Sequence, residues 1–196
     1  MDIVPLIRFR NRNILGKEDS KYKIDEFLKN EELPKKIYLL DYDGIEKNKP
    51  NLCTYQKLSK TIDLWVDAGP NDIGDVVDAV MAGATDITLR KQLWPNINLE
   101  KIREITESNL YLELCLKKQD KYNTKYFLLG GIEGLVVLDN VKEKNTSTEL
   151  IKNLAQKHKI YIYETDQRNI DHWEALGVYG LLVNLDDLGA FKKHDR

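Results

Sequence analysis

The amino-acid sequence predicts an α/β fold, a compact (β/α)₈ barrel in which some outer helices are shortened. In residues 62–91, two short apolar runs flank a helix with one apolar face, and both connecting loops are short. A buried strand on each side of such a helix indicates a parallel sheet with helices packed outside it. Similar units follow with a repeat of roughly 24 residues, near the lower limit for such a barrel. An open doubly wound sheet, which usually has fewer strands, is the structural alternative.

The predicted strands are short apolar runs, several of them rich in β-branched and aromatic residues. No linker or low-complexity tract interrupts them, so residues 1–196 are expected to form a single domain. Residues 10–20 are charged and rich in asparagine, which predicts a loop. In chain order the predicted strands comprise residues 3–9, 37–40, 62–67, 84–89, 110–116, 134–138, 160–163 and 180–183.

Apolar residues at helical spacing predict helices between the strands. Three of these helices are expected to begin at Asn71 or Asp72, at Asn98, and at the capping box formed by Thr146 and the glutamate three residues later. Gly83 predicts the end of the first. The helix side chains expected to face the core are Ile73, Val76, Val77, Val80, Met81, Ile102, Ile105, Leu150, Ile151 and Leu154.

Composition excludes several classes of protein. Hydrophobic residues make up 42% of the chain and charged residues 32%, which allows a sizeable core beneath a well-solvated surface. The formal net charge of −2 argues against a general nucleic-acid-binding domain, which is usually clearly basic. The apolar runs are all of strand length, so no transmembrane helix is expected. The N-terminus lacks the charge order of a signal peptide. Cys53 and Cys115 match no metal or redox spacing. Taken together, these features predict a cytoplasmic protein that contacts no membrane.

Ionisable or polar residues stand at or near the C-terminal end of nearly every predicted strand. In a barrel these ends meet at one mouth, where the active sites of barrel enzymes are built. A charge in an apolar strand is costly unless it is paired or partly hydrated. The alternative is therefore a salt-bridged rim, or acids that only cap the next helix. The residues are Arg8, Arg10, Asp41, Asp43, Asp67, Arg90, Lys91, Glu113, Asp139, Glu164, Asp166 and Asn184.

Within this group we expect acid–base residues and an anion-binding set. The catalytic candidates are Glu113, Asp41 and Asp139. Arginine and lysine side chains would hold the anion, and backbone N–H groups near a glycine could meet a phosphate. The absence of a metal-ligand spacing or a nucleotide fingerprint predicts no cofactor, although a Mg²⁺ ion in the acidic mouth stays open. The predicted substrate-binding residues are Arg8, Asp43, Asp67, Gly69, Arg90, Lys91 and Glu164.

Four stretches of the sequence resemble the HisA/HisF family, which includes the ribotide isomerase of histidine biosynthesis. They are IVPLIRF at 3–9, YLLDYDGI at 38–45, LWVDAGPNDIGDVVDAVMAGATDITL at 64–89 and LYLEL at 110–114. The likeness is closest to the archaeal-type related branch. It implies a (β/α)₈ TIM barrel, phosphate-bearing ribotide substrates, no metal, and catalysis by one aspartate on strand one and another on strand five.

Carried over by position, the resemblance also implies altered chemistry. Arg8 stands where the family has its strand-one aspartate, and Glu113 replaces the second. The family's glycine-rich phosphate loops correspond to residues 67–70, 164–166 and 183–185, and only the first keeps a glycine, Gly69. Replacing an acid by arginine reverses the charge at the site, so the histidine-pathway isomerase reaction is not expected.

Two function hypotheses follow. The first is an enzyme of the isomerase or lyase type that uses acid–base chemistry on a small anionic, phosphorylated metabolite. The resemblance suggests a step in the biosynthesis of a methanopterin-type cofactor. The second is a non-catalytic relative that binds a ligand or a partner subunit, which the lost phosphate loops favour. Neither hypothesis involves nucleic acid, and a homo-oligomer stays open.

Overall fold

A computed structural model describes residues 1–17, 20–30, 32–116, 131–139 and 145–191. Eight of its strands form a closed parallel barrel: the sheet order follows the chain, and the last strand pairs in parallel with the first. Closure excludes the open sheet and confirms the predicted barrel. The strands are β1 (Asp2–Arg10), β2 (Asn13–Leu15), β3 (Lys21–Tyr22), β4 (Lys36–Asp41), β5 (Asp63–Asp67), β6 (Ala84–Leu89), β7 (Asn109–Glu113), β8 (Gly134–Val137), β9 (Lys159–Tyr163) and β10 (Gly180–Asn184).

The short strands β2 and β3 lie outside the barrel and correct the predicted loop at 10–20. β2 pairs antiparallel with β1, and β3 pairs antiparallel with β2. Asn11 and Arg12 connect β1 to β2 with positive φ angles of 50° and 62°. A two-residue turn of this kind matches the twist of a hairpin, but it usually carries Asn-Gly or Asp-Gly. The second turn residue is an arginine, so the sequence lacks the usual hairpin signal.

Most of the described helices lie between successive strands along the chain, the last one follows the final strand, and most have seven residues or fewer, in line with the predicted shortening of some helices. The 3₁₀ turns Gln167–Asn169 and Leu185–Asp187 precede the last two helices. Asp72 and Asn98 cap their helices through side-chain oxygens, as predicted, whereas the side chain of Thr146 lies outside the described residues. The helices are α1 (Ile24–Phe27), α2 (Tyr42–Lys47), α3 (Leu52–Leu58), α4 (Ile73–Met81), α5 (Leu99–Arg103), α6 (Asn145–Ala155), α7 (Ile170–Ala175) and α8 (Leu188–Phe191).

Some of the predicted inward helix residues are exposed. In α4, Val76 is buried, but Val77 is exposed and Met81 has 78% of its surface exposed. At about 100° per residue, Met81 lies about 140° around the helix from Val76, outside an apolar stripe centred on that residue. Leu150 of α6 is exposed as well, and Ile105 is exposed because α5 ends before it, at Arg103. Apolar character alone therefore widened the predicted faces beyond the stripe that packs.

Alternation along the strands separates two apolar groups. Outward strand residues pack with helix residues in one large cluster, and inward residues form a second cluster inside the barrel. The interior is filled largely by aromatic rings: Trp65 contacts Tyr38, Tyr111 and Tyr161 with ring centroids 5.0, 3.9 and 4.8 Å apart. A packed interior leaves the mouth as the place where polar side chains can gather. In the described part of the chain, no helix has the length and apolarity needed to cross a membrane.

Candidate functional site

The predicted site residues divide between the inner and outer faces of the barrel. Residues two apart on a strand share a face. Asp67 and Glu113 thus follow the interior residues Trp65 and Tyr111 and point into the mouth. Asp41, Asp139 and Glu164 instead follow outward-facing residues of the large outer cluster. The inner face at the C-terminal strand ends carries Arg8, Asp67, Arg90, Glu113, Tyr163 and Asn184.

Asp67, Arg90 and Glu113 form one ionic cluster across three neighbouring strands. Arg90 donates from Nε to Asp67 Oδ1 at 2.8 Å and from Nη2 to Oδ2 at 2.6 Å. Its Nη1 lies 3.8 Å from Glu113 Oε1. The Asp67 side chain is fully buried, and those of Arg90 and Glu113 are 16% and 9% exposed. Burial alone would lower the pKa of Arg90, but the adjacent Asp67 carboxylate outweighs it and raises that pKa.

A chain of buried hydrogen bonds in the barrel interior supports Asp67. Tyr38 donates its hydroxyl proton to Asp67 Oδ2 at 2.6 Å. Thr88 donates to the Tyr38 hydroxyl at 3.3 Å, and Trp65 Nε1 donates to Thr88 at 2.9 Å. Burial and the Asp67 charge raise the pKa of Tyr38 well above its ordinary value, so its proton stays in place. With two bonds from Arg90 and one from Tyr38, the Asp67 carboxylate is held in one orientation.

Arg8 is anchored on the opposite part of the mouth by neutral groups. Its Nη1 donates to Asn184 Oδ1 at 2.7 Å, and its Nη2 donates to the Tyr163 hydroxyl at 2.6 Å. The guanidinium carbon lies 5.1 Å from the centroid of the Tyr163 ring. Across the described ranges no carboxylate forms an ion pair with Arg8. This half-buried guanidinium is thus fixed in position while its charge lacks a direct counterion.

Asp41 and Asp43 organise the turn after β4. Asp41 accepts hydrogen bonds from the backbone N–H of Asp43 at 3.0 Å, from the N–H of Asn51 at 2.8 Å, and from the Tyr55 hydroxyl at 2.5 Å. Asp43 pairs with Lys47 at 2.7 Å. Burial would raise the pKa of Asp43, but hydrogen bonds, above all from Lys47, lower it. The placement of Asp41 is that of a helix cap and gives no support to an acid–base role.

Glu164 and Asp139 are held in a comparable way. Glu164 accepts from Trp173 Nε1 and Asn169 Nδ2, each at 2.9 Å, and from the two backbone N–H groups that follow it. Burial would raise the pKa of Glu164, yet these donors keep it below its ordinary value. Asp139 Oδ2 accepts from the backbone N–H of Leu116 at 2.9 Å. Both carboxylates therefore stabilise loops on the outer side of the rim.

Side-chain carboxylates already accept from two backbone N–H groups of the loop after β5 and the start of α4. Asp72 accepts from the N–H of Asp75 at 3.0 Å, and Asp75 in turn accepts from the N–H of Asn71 at 2.8 Å. Gly69 has a φ of +64°, and a β-carbon there would lie 2.5 Å from Leu93. The positive φ of Gly69 is a backbone conformation that other residues rarely adopt, and side-chain carboxylates already lie at the helix start. Lys91 is half-buried in the turn after β6.

Sequence reasoning missed three uncharged residues: Tyr163, which holds Arg8, and Tyr38 and Thr88, which support the Asp67 partner of Arg90. A signal was available, because Tyr38 and Thr88 precede the C-terminal ends of their strands on the inward face and Tyr163 ends its own strand. Within the described ranges, no group of three or more His, Cys, Asp or Glu side chains is arranged to hold a metal ion.

No family model matches this chain. No curated protein matches it either. The evidence for the barrel fold is therefore the closed parallel sheet itself. The likeness to the HisA/HisF family stays a resemblance of short motifs.

Proposed function

We propose that the mouth of this barrel binds a small anionic, phosphorylated metabolite and that Glu113 acts on it as an acid or base, in a reaction of the isomerase or lyase type. The observation that carries the proposal is the environment of Arg8 at the mouth. Arg8 is fixed by Tyr163 and Asn184, both neutral, and no carboxylate of the described chain pairs with it. A second inward arginine, Arg90, is already neutralised by Asp67.

A guanidinium held this way favours an anionic ligand for physical reasons. A partly buried charge without a counterion costs free energy, which an incoming anion recovers. Two of the five guanidinium N–H groups of Arg8 are engaged, so further donors remain for a ligand. The planar fork of arginine matches the oxygens of a phosphate or carboxylate. Because Arg8 is already ordered by its neutral partners, less conformational entropy is lost on binding.

Glu113 is the inward carboxylate best placed to exchange a proton with the ligand. Asp67 is fully buried and held by three hydrogen bonds, whereas Glu113 lies at the rim, 3.8 Å from Arg90. A carboxylate that faces the mouth is the kind of group that a general base needs. β1 and β7 are separated by three intervening strands in either direction around the barrel, so a ligand anchored at Arg8 would extend across the mouth toward Glu113.

The relation to the HisA/HisF family is part of this proposal. The barrel and the quoted motifs support it, and so does the position of Glu113 at the end of the strand where that family has an aspartate. Arg8 replaces the other acid of the pair. We therefore infer a changed reaction on a related kind of ligand.

A second candidate function is ligand binding without catalysis. The favouring observation is that Asp41 and Glu164 cap the segments that follow their strands, and Asp67 is saturated by Arg90 and Tyr38. Among the acids described here, this leaves Glu113 to carry the chemistry alone. A receptor or partner subunit would need Arg8 but no proton transfer.

A thermal-shift panel of ribotides, sugar phosphates and pterins tests the binding half of the proposal. We expect at least one phosphorylated compound to raise the melting temperature of the wild-type protein. Arg8→Gln should abolish that rise, because it removes the charge and keeps hydrogen-bonding capacity. Arg168→Gln is the matched control, since Arg168 is 84% exposed and pairs with Asp166 on the outer side of the rim. No shift with any compound, or an equal loss in both variants, would contradict the proposal.

Solvent deuterium exchange into the bound compound tests the catalytic half. An acid–base enzyme that removes a carbon-bound proton should catalyse its replacement by deuterium, which nuclear magnetic resonance detects before any product is known. Glu113→Gln should reduce the exchange rate at least about a hundredfold while the compound still raises the melting temperature. Binding without exchange in the wild-type protein would favour the non-catalytic receptor.

A further inference from the structure

A small cleft beside the mouth lies between the β1–β2 hairpin and the end of β10. Its volume is about 60 Å³, which suits one end group of a ligand rather than a whole metabolite. Leucine and isoleucine side chains of β1, β2 and the turn after β10 form its apolar wall. The polar side chains that line it belong to Arg8, Lys17, Tyr22, Asn184 and Asp186.

The cleft presents a cation and an anion together. Arg8 brings the guanidinium that has no carboxylate partner in the described chain. Asp186 Oδ2 accepts from the backbone N–H of Lys17 at 2.9 Å, while its Oδ1 accepts no hydrogen bond from any described residue. A β-carbon on Gly16 would lie 3.3 Å from Asp186 Oδ2 and 2.4 Å from Ser20 Oγ. A glycine at this position therefore lets the carboxylate reach the hairpin.

The charges of the cleft are balanced. Lys17 forms an ion pair with Asp187, and Arg8 and Asp186 contribute one charge of each sign. A bare anion bound to Arg8 would meet the like charge of Asp186 in the same small space. An end group that carries both signs would satisfy both residues. A cation or hydrogen-bond donor next to the anion is thus the chemistry that complements this wall.

We propose that this cleft selects an amino-substituted anion, with the anionic oxygens bound by Arg8 and the adjacent ammonium group bound by Asp186. The inference rests on the proposed function, because Arg8 is the same anion-binding residue. It adds the specificity: Asp186 distinguishes an aminated anion from a plain one. Asp186 is a specificity-determining residue, and it takes no part in proton transfer at Glu113.

Isothermal titration with three compounds of similar shape tests the inference: ethyl phosphate, 2-hydroxyethyl phosphate and 2-aminoethyl phosphate. The wild-type protein should bind the amino compound about tenfold more tightly than ethyl phosphate, as expected for one charge-assisted hydrogen bond. The hydroxyl compound should bind with intermediate affinity. Asp186→Asn should bring the ratio of amino to ethyl affinity close to one. Asp78→Asn removes the same charge from an exposed position of α4, outside the lining of the cleft, and should keep the preference.

The outcomes separate this inference from the proposed function. Binding of all three phosphates with equal affinity overturns the selection of an ammonium group and leaves anion binding at Arg8 intact. Equal gains from the hydroxyl and amino groups also overturn it, because Asp186 would then recognise a donor rather than a charge. A preference that survives Asp186→Asn assigns it to another residue. Phosphate binding that is equally tight in wild type and Arg8→Gln, or absence of binding by all three compounds, overturns both proposals.

Discussion

Removing the Asp67 carboxylate should destabilise the barrel strongly. Asp67→Ala leaves the Arg90 guanidinium, whose side chain is only 16% exposed, without its two short hydrogen bonds. The Tyr38 hydroxyl loses its acceptor as well, at a position that is fully buried. The nearest remaining carboxylate oxygen to Arg90 described here is on Glu113, 3.8 Å from Nη1.

The magnitude follows from these two losses. Breaking a buried ion pair by removing one partner costs about 3–5 kcal/mol, because the other charge stays buried. A buried donor left without an acceptor costs about 1–3 kcal/mol. The two losses share one carboxylate and are not additive, so we expect the free energy of unfolding to fall by about 4 kcal/mol. For a chain of this size that corresponds to a melting temperature roughly 8–16 °C lower.

Urea unfolding of three variants checks the reasoning. The double variant Asp67→Ala with Arg90→Met should be more stable than Asp67→Ala alone, because it removes the uncompensated charge. Asp67→Asn should lie between wild type and Asp67→Ala, since the amide oxygen can still accept from Arg90 and Tyr38. A loss below about 1 kcal/mol for Asp67→Ala would show that the pair contributes no more than a surface ion pair. Additive losses in the double variant would refute the argument from the stranded charge.

Three further predictions concern the backbone, the pH dependence and the ligand. Gly83 has a φ of +100°, so Gly83→Ala should lower the unfolding free energy by about 1–3 kcal/mol and shift the urea midpoint downward. Gly189→Ala is the control, because a β-carbon at Gly189 meets open space and should leave the midpoint unchanged. Burial alone would raise the pKa of Glu164, but hydrogen bonds from four donors hold that pKa below 4.5. Its carboxylate therefore stabilises the fold above that pH, and the stability deficit of Glu164→Gln in urea unfolding should be largest at pH 7 and shrink as the pH falls through the lowered value. Asn184→Asp would place a carboxylate within 2.7 Å of Arg8, so anion affinity in titration calorimetry should fall about tenfold; unchanged affinity would argue against Arg8 as the anion site.

The sequence predicted the barrel because its strongest signals are local. Apolar runs bounded by turn residues gave the strands to within a few residues at each end, and the strand from Ala84 to Leu89 was predicted with the observed bounds. Asp72 and Gly83 marked the ends of α4 because capping depends on the backbone of a few neighbouring residues. The width of each apolar helix face was overestimated, since which side of a helix packs depends on what lies opposite.

The same distinction between local and long-range effects applies to the candidate site. Period-two alternation on a strand specifies which side chains share a face, so the inward placement of Asp67 and Glu113 beside Trp65 and Tyr111 is written in the sequence. Alternation does not say which face becomes the interior of a closed barrel. Closure of the barrel decides which face is inside, and it places Asp41 on the outer face, where it caps a helix.

The sequence by itself determined that this chain forms short parallel strands with polar tips, because strand formation and capping are decided by residues close together along the chain. Only the tertiary structure decided which charges are partnered. Arg8 and Asn184 are 176 residues apart in sequence yet 2.7 Å apart in space, and Asp67 and Arg90 meet across two strands. Pairing of charges depends on distances set by closure of the sheet, and those distances pair Arg90 with Asp67 and leave Arg8 without a carboxylate partner among the described residues.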